Sequence, residues 1–260
     1  MRSILPALLL GSAMAFFGTH RAARADTGSS FPTATATGNP PAGAFSHRPP
    51  RPVTSTNQAP AAAELLLRMR AAIVQRGSVH VDFSMVSALY PTGEASTHLQ
   101  GDVSWRLNLL HDRTTVLRTD AGHVAKVPLQ SIDLRLVHER AASHNLVGGW
   151  QCENLAHVQV MSTLLGLEES VLSEHVVGAG VVNGTAVWVI RATGYSPATG
   201  SGSIANIVYD VSQTDDTLQR VQVTGTSSFK GRSQQIVASE AYTHYGELVN
   251  VQLPAACSVR

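Results

Sequence analysis

Gly178, Gly180 and Gly184 fall within "VVGAGVVNGTAVWVIRATG", residues 176–194, and glycines spaced this way could cradle a phosphate. A phosphate loop needs a strand before it and a helix after it, because the helix N-terminus supplies the amides and the dipole. The residues after Gly184, "TAVWVIRAT", are β-branched and aromatic, have no helical period and hold no Lys-Ser or Lys-Thr pair. The stretch therefore reads as a hairpin turned at Asn183-Gly184. Gly178 and Gly180 then relieve crowding or allow a bend in a long strand.

The other reactive residue types are equally sparse in pattern. Eleven histidines occur, yet none forms H-x-H or a helical H-x-x-x-H, and none repeats a ligand spacing with Cys or carboxylate. His80, His98 and His175 read as polar-face residues of strands. There is no G-x-S-x-G elbow. Glu168-Glu169 and Asp215-Asp216 are adjacent pairs, and adjacent side chains on a strand face opposite ways. No catalytic residue, metal or cofactor is expected, and the protein is read as a non-enzyme. The two cysteines, Cys152 and Cys257, are an even count that permits a disulfide in an exported chain. That bridge would close a loop of about 105 residues and contribute about 4–5 kcal/mol in the chain-entropy picture. Two free buried cysteines are the alternative.

The elements around these residues set the class. Arg2, an apolar run from Ile4 and an Ala23-Arg24-Ala25 site make residues 1–25 a secretory signal peptide cut after Ala25. An uncleaved anchor is the alternative. Cleavage removes Arg2, Arg21 and Arg24 and no acid, leaving 16 of the 19 basic residues against 18 acids. The two lysines, Lys126 and Lys230, form no basic patch, so nucleic acid is excluded as a partner. Residues 26–60 are rich in Pro, Thr, Ser, Ala and Gly and read as a disordered tether. From 61 to 260 a single domain follows. Leu65, Leu66, Met69, Ala72 and Ile73 form a helical stripe ended by Gly77.

Strands follow with period two. Val79, Val81, Phe83 and Met85 point one way, and Leu99, Gly101, Val103, Trp105, Leu107 and Leu109 share a second face. "TTVLRTD" and "HVAKVPL" pair around Ala121-Gly122, and 131–149 is ambiguous between strand and helix. "WQCENLAHVQVMSTLLGL", 150–167, reads as an apolar helix. Strands return at 171–179, 185–193, 204–212, 218–228, 233–244 and 248–253, joined by short turns. The class is α+β: a curved antiparallel sheet with helices packed on its concave face, either closing a solid core or enclosing an apolar cavity.

Two stretches carry a likeness. "SEHVVGAGVVNGTAVWVIRATG" is similar to a strand–"vnG"–strand hairpin, and "IVYDVSQTDDTLQRVQVTGTSSFKGRSQQIVASEAYTHYGELVNVQLP" is similar to a strand series with a "D-x-x-T" turn and a final strand ending in Pro. Together they resemble the LolA-like lipoprotein-carrier superfamily, which includes exported mycobacterial lipid-carrier lipoproteins and the amino-terminal domain of a periplasmic stress regulator. The resemblance implies a half-open β-barrel that holds lipid acyl chains or lipidated protein without reaction. This chain lacks the lipobox cysteine of the mycobacterial members. Face alternation assigns the cavity lining to Val81, Phe83, Met85, Val103, Trp105, Leu107, Met161, Leu165, Trp188 and Ile190. An envelope sensor binding a membrane-bound regulator is the second reading, and a hydrolase assembled from scattered residues is the third.

Overall fold

The helical stripe folds as one helix, α1 (Ala62–Arg76), with Leu65, Leu66, Met69 and Ile73 turned into the protein. It stops because Gly77 adopts φ +86°, a left-handed conformation that suits glycine and ends the helical ladder. The computed structural model describes residues 60–88, 93–120, 123–146, 148–155, 170–199, 203–229 and 232–258. The signal segment, the tether up to residue 59, Met161 and Leu165 lie outside the described residues.

Twelve strands follow α1: β1 (Ser78–Ala88), β2 (Glu94–Ser104), β3 (Leu109–Asp120), β4 (His123–Val124), β5 (Gln130–Val137), β6 (Arg140–Asn145), β7 (Gln151–Asn154), β8 (Ser170–Val182), β9 (Thr185–Tyr195), β10 (Ile204–Ser212), β11 (Leu218–Phe229) and β12 (Arg232–Thr243). A 3₁₀ turn, Pro197–Thr199, lies between β9 and β10, and a short helix, α2 (Ala255–Ser258), ends the described chain. The strands form one curved, unclosed antiparallel sheet in the order β7-β6-β5-β3-β2-β1-β12-β11-β10-β9-β8, with β4 paired to β3. Most neighbours are hairpin partners. The exceptions are β3 with β5, which brackets the short β4, and β1 with β12, whose pairing of Val81 with Tyr242 and Phe83 with Glu240 joins the two halves.

The Gly-rich stretch is the expected hairpin. Asn183 and Gly184 both take positive φ, 49° and 82°, the requirement of a two-residue turn. β8 carries a bulge between Val176 and Gly178, so the strand does bend there. A Cβ at Gly180 would stand 3.3 Å from a methyl of Val189, so a side chain there would press on that neighbour.

Four expectations need correction. The ambiguous stretch resolves into β5 and β6, whose alternating buried residues Ile132, Leu134 and Leu136 fit a strand face and not a helical stripe. Residues 151–154 do not begin a helix; they pair with β6 as the edge strand β7, which places Cys152 opposite Ala142. Residues 248–253 form no strand, because β1 already pairs on both sides and the chain leaving β12 meets no free edge. The alternation of β2 ends at Ser104. Trp105 and Leu107 therefore stand in the reversal before β3, where Asn108 turns the chain at φ +49°.

The segment after β12 runs as a strap along one rim of the sheet. Gly246 N donates to Ser78 O, Arg135 donates to Gln252 O and Arg140 donates to Cys257 O. A Cys152–Cys257 disulfide fixes its far end. Ala142, opposite Cys152, is fully buried.

Candidate functional site: the inner face of the sheet

Directly paired residues of antiparallel strands point to the same face, so the register traces that face strand by strand. One row runs Val79, Val103, Leu110, Leu136 and Ala141 across β1, β2, β3, β5 and β6. A second runs Met85, Ala238, Val223, Ile207 and Ala192 across β1, β12, β11, β10 and β9. Val79 and Met85 lie six residues apart on β1, so both rows belong to one face. Every residue in them is apolar and buried. At a strand spacing of about 4.8 Å each row is about 19 Å long.

Between the two rows the face turns polar. The Phe83 row contains Glu240, Val221, Tyr209 and Ile190 on one side and Leu99, Thr114 and Ile132 on the other. The Val81 row contains Tyr242, Gly101, Asp112 and Leu134. Tyr242 Oη donates to Glu240 Oε2 at 2.7 Å, and Thr114 Oγ1 donates to Asp112 Oδ1 at 3.2 Å. Burial penalises the charged form of Asp112 and, against the Thr114 hydrogen bond, pushes its pKa up to about 7, with Asp133 adding to the rise. The carboxyl is thus poised between its neutral and charged forms near neutral pH.

The opposite face carries the charged chemistry. His80 Nδ1 lies 2.7 Å from Asp102 Oδ1, and His111 Nε2 lies 3.3 Å from Asp133 Oδ1. Burial opposes ionisation of Asp133, but the hydrogen bonds and charge of Arg135, with His111 and Arg113, hold its carboxyl below the usual range. Burial lowers the pKa of His111, with Asp133 opposing. Among the described residues no group of three or more His, Cys, Asp or Glu side chains is placed to hold a metal. A polar cavity of about 350 Å³ lies beside the disulfide, lined by Arg140, Glu153 and Asn154 among others.

No protein-family model matches the chain, and no curated protein matches it in sequence. Solved structures do overlap with it. The Mycobacterium tuberculosis lipoprotein LppX is 16% identical over 74% of this chain and 100% of that one, with a TM-score of 0.44. LprF from Mycobacterium bovis is 12% identical over 76% of this chain and 100% of that one, with a TM-score of 0.48. A LolA-superfamily protein from Nitrosomonas europaea is 11% identical over 75% and 96%, with a TM-score of 0.28. The half-open α+β architecture itself is read from strand order and register.

Of the residues assigned to a cavity, Val81, Phe83, Met85, Val103 and Ile190 are buried on the inner face. Trp188 shares that face, because its partner Val211 lies on the same strand, two residues from Tyr209. It is only partly covered. Trp105 is absent from the rows and donates its indole N–H to Val74 O at the end of α1, 3.0 Å away. Leu107 is 46% exposed. Asp112, Thr114, Glu240 and Tyr242 were missed. Their signal was a phase: Asp112 and Thr114 alternate with His111 and Arg113, in step with Leu110 and Val116.

Proposed function

We propose that the chain is an exported, non-enzymatic protein that binds lipid acyl chains, free or carried on a lipidated protein, against the inner face of its sheet. One observation carries the reading: two five-strand rows, wholly apolar, run across one face of a sheet whose edges do not close on each other. Burying an acyl chain on such a face contributes about 0.8 kcal/mol per CH₂. Val81, Phe83, Met85, Val103, Trp188 and Ile190 are the lining residues. Asp112 and Glu240 are the carboxyl groups of the polar strip between the two apolar rows, suited to fixing the position of a head group. On this reading residues 1–25 export the protein to the cell envelope, and Edman sequencing of the exported form should begin at Asp26. Protein purified from its host should yield lipid on organic extraction and mass spectrometry. A lipid-free preparation that also fails to take up a fluorescent fatty acid would sink the proposal.

A further inference from the structure

Of the thirteen exposed large apolar side chains among the described residues, eight lie toward one rim of the sheet; Leu107, Val181 and Leu248 lie at the other, and Leu67 and Val74 on α1. Antiparallel pairing places the ends of β1 and β3 and the starts of β2, β5, β8 and β10 on the same side of the sheet. On the β3–β6 half, Val124, Val127, Leu129 and Leu146 are 59%, 73%, 52% and 50% exposed. On the β8–β10 half, Leu172, Tyr195 and Ile204 are exposed at the same end, and Ile204 pairs with Tyr195. The opposite rim is occupied differently. There the strap bonds to Ser78, and the ion pairs Arg76–Asp215 and Arg68–Asp216 tie α1 to the β10–β11 turn.

The segment that carries Val124, Val127 and Leu129 is held in place. Ala125 N donates to Arg118 O at 2.7 Å and Leu129 N donates to Val116 O at 2.8 Å. Its ordering is already in place, yet its apolar side chains point to solvent. Lys126 stands exposed between Val124 and Val127, with His123 exposed beside them. Apolar side chains flanked by a long cation match a lipid interface, where the chains enter the acyl boundary and the ammonium stays with the head groups. The centres of the two clusters, at β5 and β9, lie about seven strand spacings apart, about 34 Å measured along the sheet. A protein partner seats on one contiguous patch, whereas a bilayer accepts separate protrusions without matched shape.

We propose that this rim docks on the surface of a lipid bilayer, with Val127 and Leu129 as inserting side chains. Docking adds a partner to the acyl-binding reading but does not depend on it. The test is flotation of the exported protein with vesicles of equal parts phosphatidylcholine and phosphatidylglycerol. The double variant Val127→Asp/Leu129→Ser is compared with Leu248→Ser, which alters the most exposed leucine of the strap. Wild type and L248S should float, and the double variant should partition at least about tenfold less. Its thermal midpoint and its uptake of a fluorescent fatty acid from solution should be unchanged. A wild type that stays unbound, or a double variant that floats as well as wild type, overturns the proposal. So does a rim that makes dimers in sedimentation, broken by the double variant, without flotation. Flotation without fatty-acid uptake by wild type would instead leave docking in place and remove the acyl-binding reading.

Discussion

Cys152 on the edge strand β7 is bonded to Cys257 in α2, with Cα atoms 5.4 Å apart and a sequence separation of 105. The bond ties the strap to the outermost strand of one half of the sheet. Arg140 reinforces the junction by donating to Cys257 O at 2.9 Å. In the chain-entropy picture a loop of this length contributes about 4–5 kcal/mol. The double variant Cys152→Ser/Cys257→Ser should therefore melt about 10 °C lower or more, measured by circular dichroism. Without the bond, the sheet partner of β7 among the described residues is β6 alone, so its amides should exchange first in hydrogen-exchange mass spectrometry. An unchanged melting point and unchanged β7 exchange would mean that the strap is held by its hydrogen bonds alone.

Asp112 makes stability depend on pH in a direction opposite to that of most carboxylates. Its folded pKa, about 7, lies above the ordinary 3.8 because burial disfavours the charge. Below the ordinary value the carboxyl is neutral in both states and costs nothing. Between the two values the fold must hold a proton that the unfolded chain has released, and above about 7 the full penalty applies. That penalty is on the order of 4 kcal/mol. Asp112→Asn keeps a group able to accept from Thr114 and removes the charge. The variant should be more stable than wild type at about pH 8, with the gain disappearing by about pH 4, in urea titrations across that range. An equal difference at both ends would exclude titration of Asp112 as the cause.

Arg220 and Asp210 form a directly paired couple on β11 and β10, with Nε donating to Oδ2 at 2.7 Å. Asp210 is almost wholly buried, so its charge has little water to fall back on. Asp210→Ala leaves the guanidinium beside it without that carboxylate, a loss of about 3 kcal/mol. The urea midpoint should fall accordingly. A change below about 0.5 kcal/mol would show that solvent at Arg220 already screens the pair.

How far the sequence reaches is clear from particular strands. The face of β1 was legible because Val79, Val81, Phe83 and Met85 alternate with His80, Asp82 and Ser84, and burial follows that phase. The β8–β9 hairpin was legible from Asn183-Gly184, a local signal with a backbone requirement. Trp105 and Leu107 misled because apolar alternation continues in the sequence beyond Ser104, while the chain reverses at Asn108. The last expected strand failed for a reason no window of sequence contains: both sides of β1 are taken, one of them by a strand more than 140 residues away. Glu240 and Tyr242 were illegible because their partners across β1 and β11 are fixed only by long-range register, and a lone glutamate in a strand reads as solvent-facing.

Trp188 offers the sharpest test of the acyl-binding face. It sits on the inner side of β9 next to the Tyr209–Ile190 pair and is only partly covered, so a guest lying against the face would reach its ring. Trp105 is committed to the end of α1, and Trp150 stacks near Arg135 and His144 at the β5–β6 side. The variant Trp105→Phe/Trp150→Phe leaves Trp188 as the sole indole of the exported chain. Titration with a brominated fatty acid should quench its emission, and the unbrominated acid should shift the emission to the blue as apolar contact replaces water. Trp188→Phe with the other two tryptophans retained should show little quenching. Met85→Ala, on an apolar row of the same face, should weaken the quenching by about tenfold or less, since it removes roughly 1 kcal/mol of chain contact. Quenching that is equal for Trp150 alone and Trp188 alone would place the fatty acid elsewhere than on the inner face.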